Sequence, residues 1–581
     1  MLKIPYQLLN RLNNLKKLVG KKNTNKLYLL FLILIISSFM EMLSIGTIPI
    51  LALAIVDTEQ FISLLPNNIK INFLINLEKS YLIFLLCIFI GIVFVLKNII
   101  LALFVYFQQH FIKSIKIHIS NTLIKKYLSQ NYLYFVNKGT SLITRSIIVD
   151  AGNTTIFILN HINLLKEVTI SIGIFFLLIF VDPILSIIIL VSLSLVISVY
   201  IFYTKNSVYK RGFEINLLTE RVINSMNQIT GSIKDVKLFS SEKYFVNYFD
   251  NLLKAAETRA AKNNFLSSLP KNLLELFVIF LILGILVSYS SLGVQISELL
   301  PFISLFVVSV VRLMPGFNNI SLSILNIKKT TPNFDYILNE YNSLEEKSEE
   351  IFNNSETKDM NFKKSIIIKD LKFKYPHSKK YVIDRFNLEI YAGEKFGIIG
   401  KSGSGKTTLI NLISGLLKPS DGKIYIDDID LEDIDQRWKN LIGYVHQDTF
   451  ILNDTIKNNI AFGNYDKNDY DKKILVALKK AQIDKFVNSL EKGINTKMSD
   501  NGKNLSGGQR QRLGIARAIY NDPQLIILDE ATNSLDIETE INFIDEIFSN
   551  SREKTIIFIS HKIRSLNKCD RIFDLTNKKF I

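Results

Sequence analysis

The residues best suited to chemistry lie in the C-terminal half of the chain. The apolar stretch 395–399, Lys-Phe-Gly-Ile-Ile, reads as a buried strand. It runs directly into Gly400, Lys401, Ser402, Gly403, Ser404, Gly405, Lys406 and Thr407. The spacing is G-x-x-x-x-G-K-T, that of a phosphate-binding loop between a strand and a helix. Its glycines let consecutive backbone N–H groups turn inward onto phosphate oxygens. The helix that begins at Thr408 points its positive end at the same phosphates. Lys406 is placed to reach the β- and γ-phosphates, and the Thr407 hydroxyl to ligate Mg²⁺.

Two further groups complete a hydrolytic set. Residues 525–528, Leu-Ile-Ile-Leu, form an apolar strand that ends in Asp529 and Glu530. Asp529 at the strand tip can hold Mg²⁺ through water. Glu530 is placed to polarise an attacking water as a general base. Between these motifs sit Leu505, Ser506, Gly507, Gly508 and Gln509. The glycines again bare the backbone, and Ser506 heads a helix whose N-terminus can bind an anion.

The rest of the chain must position this chemistry. At 581 residues it is too long for one compact core. Hydrophobic residues make up 48% and charged residues 21%, with 40 Phe and 23 Tyr. That composition excludes a disordered chain. The formal net charge of +16 fits nucleic acid or an anionic membrane, and the positive mean hydropathy favours the membrane. The two cysteines, Cys87 and Cys569, exclude a disulfide framework.

Six apolar runs have or approach the roughly 20 residues a spanning helix needs: about 27–56, 81–107, 156–181, 184–203, 273–290 and 296–315. Beyond 350 the apolar runs have strand length. Basic residues crowd the N-terminus and the connection 108–155, which by the positive-inside rule places both in the cytosol. Six spans then place the C-terminal half there too. The expected architecture is an α-helical six-span membrane domain over 1–340, a linker over 341–364, and an α/β P-loop NTPase domain over 365–581.

The order of motifs resembles the ATP-binding cassette (ABC) family. Gly400 to Thr408 is similar to its Walker A, Leu505 to Gln509 to its signature, and Leu525 to Glu530 to its Walker B. By the same resemblance Gln447 is a Q-loop Mg²⁺ ligand, Ser534-Leu535-Asp536 a D-loop, His561 a switch histidine, and Tyr375 the aromatic that stacks on adenine. ATP and Mg²⁺ are then implied, with Thr407, Gln447 and Asp529 on the metal. A six-span domain ahead of one cassette resembles an exporter-type half-transporter. The family's ATP sites are composite, which implies a second copy of this chain as partner. Segments 130–147 and 214–228 match the family's coupling helices. One departure is Ser499-Asp500, where the family usually carries Gly-Glu before the signature.

The resemblance implies ATP-driven export or flipping across a bacterial inner membrane, with the N-terminus and ATPase domain cytosolic. The abundant Lys, Asn and Ile fit an AT-rich bacterial genome. Charges inside spans are candidates for the transport path: Glu41, Lys97, Glu275 and Arg312. Lys97 and Arg312 could line an anion-holding cavity, or they could snorkel or pair with acids. The run 311–315 around Arg312 resembles bacterial lipid-linked oligosaccharide flippases, whose cargo carries a pyrophosphate. Other expected cargoes are a different lipid, a drug or a peptide. An ATP-gated membrane regulator is a further reading, while the spans argue against a nucleic-acid partner.

Overall fold

The computed structural model describes residues 17–56, 58, 61, 79–181, 183–291, 296–344, 360–376, 378–464, 470–499, 502–531, 540, 544–545, 547–549 and 553–581; for some helical residues, Arg312 among them, only the backbone is described. The chain divides into two compact units. One comprises residues 1–130 with 137–351, and the other 131–136 with 352–581.

Six long helices dominate the first unit among the described residues: α1 (Lys21–Val56), α2 (Lys79–Leu128), α3 (Ala151–Val181), α4 (Pro183–Gly231), α5 (Glu242–Ser291) and α6 (Ile296–Ser343). By length and composition, four stretches can cross a membrane among these residues: Asn23–Ile55, Lys79–Leu128, Thr140–Ile179 and Ser186–Gly231. The fifth and sixth apolar runs lie in α5 and α6, where many side chains over 281–312 fall outside the described set. The break between α3 and α4 falls at Pro183, whose fixed φ suits the first turn of a helix.

Apolar surface on these helices faces two ways. Ile45, Ile170, Ile174, Leu193, Leu274, Leu313 and Phe317 meet in a buried core. Phe84, Ile88, Phe89, Ile92, Val95 and Ile99 of α2 stand exposed, as lipid-facing side chains must. In α1 the hydroxyls of Ser37, Ser38, Ser44 and Thr47 each donate to a backbone carbonyl three or four residues earlier. Every one of these polar groups is satisfied inside its own helix, as hydrocarbon surroundings demand.

Glu41 does not stand free in a cavity. It is buried in α1 with Lys97 of α2 3.5 Å away. The pairing alternative is therefore the one realised for Lys97. Glu275 is exposed, and the Arg312 side chain lies outside the described residues.

The connection between α2 and α3 is built from short helices, Tyr132–Lys138 and Thr140–Arg145, followed by a single π-helical turn, Ser146–Asp150. Arg145, one of the basic residues of the connection 108–155, is buried. Its guanidinium pairs with Asp150 at 2.9 Å and with Glu220 of α4 at 2.7 Å. Asn333 of α6 donates to the other Asp150 oxygen at 2.6 Å. Tyr336 lies under the guanidinium, 4.9 Å from ring centre to Cζ.

The second unit carries two sheets. Strands β1 (Ser365–Phe373), β2 (Ile383–Tyr391), β4 (Asp421–Ile426) and β5 (Ile429–Asp430) form an antiparallel sheet in the order β2-β1-β4-β5. Strands β3 (Lys395–Ile399), β6 (Ile442–Val445), β7 (Leu525–Asp529), β8 (Thr555–Ile559), β9 (Arg571–Asp574) and β10 (Lys579–Phe580) form the other, ordered β10-β9-β3-β8-β7-β6. Its pairs are parallel except β9 with β10. Every residue of β7 and β8 is buried, which explains the unbroken apolar runs 525–528 and 556–559. Trp438 is fully buried and donates its indole N–H to the Ile413 carbonyl at 2.8 Å. Both cysteines are free thiols. The expected linker falls largely on 345–359, outside the described residues.

Candidate active site

The site forms where β3, β7 and β8 end on the same edge of the parallel sheet, the place where open α/β sheets bind ligands. Strand β3 leaves Gly400, whose backbone passes so near Ser404 that a Cβ there would meet Ser404 Oγ at 2.6 Å. The loop closes at Gly405, with φ +94°, the left-handed residue that caps helix α7 (Lys406–Ile413). A side chain at Gly405 would be strained by that φ and would press on Val382 at 3.1 Å.

Lys406 is 7% exposed and curls back over the loop, donating to the Gly400 carbonyl at 2.8 Å and the Lys401 carbonyl at 3.3 Å. Burial lowers its pKa, while Glu530 and Asp529 act in the opposite sense. Ser402, Gly403 and Thr407 are exposed, and Ser404 Oγ is buried without a partner among the described residues. A buried hydroxyl lacking a partner, beside an inward-turned ammonium, makes a cradle suited to phosphate oxygens.

Glu530 follows β7 with φ +52°, a left-handed conformation uncommon for a side chain with a Cβ. Its backbone N–H donates to the Ile559 carbonyl at 3.1 Å. Both carboxylate oxygens are engaged. Gln447 Nε2 donates to Oε2 at 2.7 Å, and His561 Nε2 lies 2.7 Å from Oε1. Three residues far apart in sequence are thus brought together. Asp529 is nearly buried, and burial raises its pKa.

Thr407, Gln447 and Asp529 offer only oxygen donors from hydroxyl, amide and carboxylate, a donor set that suits Mg²⁺. Among the described residues no group of three or more His, Cys, Asp or Glu could form an all-protein metal cage. A Mg²⁺ held by one carboxylate together with substrate phosphates fits such a set.

Ser506 caps helix α8 (Gly507–Ile519) in a reciprocal capping box: its hydroxyl accepts from Gln509 N at 3.2 Å, and Gln509 Oε1 accepts from Ser506 N at 2.9 Å. Each side chain engages the other residue's backbone N–H, while Ser506 and Gly507 stay exposed and Gly508 half-exposed. Tyr375 meets the edge of Phe373 at 5.0 Å, and its hydroxyl lies 3.2 Å from Thr408 Oγ1. Ser534, Leu535, Asp536 and Asp500 lie outside the described residues.

Sequence reasoning missed two participants. Tyr444 Oη donates to Asp529 Oδ2 at 3.0 Å, and Gln511 Nε2 lies 3.4 Å from the Glu530 carbonyl. Tyr444 stands three residues before Gln447, a proximity that was a usable signal. Gln511, in helix α8, had none, because its partner follows strand β7.

A strand, a glycine loop and a helix shaped to cradle phosphate, with two acids at the end of the next strand but one, form the arrangement of a P-loop nucleoside triphosphatase. Residues 383–533 match the family model described as "ABC transporter". Along its length the chain is 29% identical over 434 residues to an "ATP-dependent lipid A-core flippase" of Wigglesworthia glossinidia brevipalpis, covering 72% of this chain and 71% of that protein. It is 37% identical over 217 residues to the "Alpha-hemolysin translocation ATP-binding protein HlyB" of Escherichia coli, covering 37% of this chain and 30% of that one. It is 40% identical over 205 residues to "ABC transporter B family member 29, chloroplastic" of Arabidopsis thaliana, covering 35% and 32%. For these two, the chain spans only about a third of the relative's length. The solved "Structure of a bacterial Atm1-family ABC exporter with ATP bound" superposes with a TM-score of 0.74 at 18% identity, covering 96% of this chain and 95% of that one, a likeness of fold. Residues 383–533 thus carry an ABC transporter domain, and the chain along nearly its whole length has the fold of an ABC exporter.

Proposed function

We propose that this chain works as a homodimer in a bacterial inner membrane and moves an amphipathic lipid, or a saccharide carried on one, at the expense of ATP. One observation carries the hydrolytic part: Glu530 is held between Gln447 and His561 at a strand end beside Lys406. That geometry supports a base aimed at water. Gly400 to Thr408 hold the phosphates, Tyr375 faces the adenine, and Ser506 to Gln509 of one copy close on the loop of the other. Thr407, Gln447 and Asp529 hold Mg²⁺, which screens phosphate charge when bound. The N-terminus and the ATPase domain face the cytosol.

The lipid reading is favoured by one alignment. A match of 434 residues is longer than the second unit and reaches into the helical one, and that relative is a lipid A-core flippase. The matches to the haemolysin translocator are about half as long, so a peptide cargo has weaker support. The Lys97–Glu41 pair supplies local charge balance and leaves fewer free cations for an anionic head group.

In proteoliposomes, vanadate-sensitive ATP turnover should rise on adding lipid-linked saccharides or lipopolysaccharide precursors, and not with peptides. Stimulation by peptides alone would replace the lipid reading. Separately, Lys406→Ala removes a charged donor from phosphate and should weaken ATP binding about 10–100-fold. Equilibrium titration with a fluorescent ATP analogue measures it, and unchanged affinity would remove Lys406 from the site.

A further inference from the structure

Segment 444–447 serves both acids at the end of β7. Strand β6 runs parallel to β7, with Tyr444 opposite Ile527 and Val445 opposite Leu528. From that register the Tyr444 hydroxyl reaches Asp529 Oδ2 at 3.0 Å. Three residues later, Gln447 reaches Glu530 Oε2 at 2.7 Å. One short segment therefore fixes both carboxylates.

The tyrosine is itself well held. Its ring packs against the core around Trp438, and the His446 ring tilts on it with centroids 4.0 Å apart. Its hydroxyl is the donor in the bond to Asp529 Oδ2. A carboxylate that accepts a fixed hydrogen bond on one oxygen has its plane set and its other oxygen free. Such outer partners orient the ligands of metal sites.

We propose that Tyr444 is a positioning residue for the divalent-cation site, occupying one oxygen of Asp529 so that the other is presented to the cation on the nucleotide. The inference rests on the reading of Asp529 as a metal-site acid. It adds that β6, and not the Q-loop glutamine alone, sets the geometry of that site.

The test uses the full chain, purified in detergent. Binding of a fluorescent ATP analogue is followed as free Mg²⁺ is raised from zero under EDTA. Tyr444→Phe removes only the hydroxyl, and Tyr444→Leu removes hydroxyl and ring. Both should need about ten-fold more free Mg²⁺ for the metal-dependent part of binding. Tyr444→Phe should bind the analogue in EDTA as the parent chain does and keep its unfolding midpoint. An unchanged Mg²⁺ requirement in Tyr444→Phe overturns the proposal. So does a proportional loss of binding in EDTA, which would mark a packing role. If the parent chain shows no metal dependence, or Asp529→Asn leaves it unaltered, the reading of Asp529 fails instead.

Discussion

Glu530→Gln should lower ATP turnover about 10²–10⁴-fold, the usual contribution of a positioned general base. The amide has nearly the shape of the carboxylate but cannot take a proton from water. Gln447 and His561 hold both oxygens of the acid, so the replacement keeps one acceptor and stays in place. The left-handed backbone at residue 530 is as tolerable for Gln as for Glu. Nucleotide affinity should therefore persist, because Lys406 and the loop are untouched. The measurement is steady-state phosphate release alongside equilibrium nucleotide binding. Turnover within a few-fold of the parent chain would remove Glu530 from the role of base. Loss of both turnover and binding would show that the acid holds the site together instead.

The second large effect concerns stability. Arg145→Ala should destabilise the helical unit by about 3–5 kcal/mol, the range for removing one partner of a buried ion pair. The side chains of Arg145 and Asp150 are 6% and 1% exposed. Removal leaves Asp150 buried, with Asn333 as its remaining side-chain donor among the described contacts. The expected result is a marked fall in the thermal unfolding midpoint in detergent. Combining it with Asp150→Asn should recover part of the loss, since the stranded charge is gone. An additive double variant would mean that the two residues do not interact.

These two residues mark where sequence reading works and where it stops. Glu530 is legible because its evidence is local: an apolar run of four residues, 525–528, leads into Asp529 and Glu530, and the phosphate loop has fixed internal spacing. The same locality made the strand–loop–helix at 395–413 legible. Arg145 was read as one positive charge among several in a connection. Its true environment depends on Glu220, 75 residues away, and on an asparagine 183 residues from Asp150. No periodicity or spacing reports such pairs. Lys97 is a related case: a charge within a span was visible, whereas its partner in the preceding helix, Glu41, was set by helix packing. Tyr444 stands three residues before Gln447, yet its hydroxyl matters only because β6 and β7 run side by side.

Helix length has a mechanical consequence. At 50 residues, α2 extends about 75 Å. A hydrocarbon core is about 30 Å thick, which leaves about 45 Å of continuous helix beyond it. Treated as a straight rod, α2 is a lever arm with its fulcrum where such a helix would leave the lipid. Rotating such an arm by roughly 5° sweeps its far end through about 4 Å, enough to break a hydrogen bond at the tip while side chains near the pivot barely move. Small rotations inside the bilayer and atomic-scale rearrangements outside it are therefore geared together by length alone.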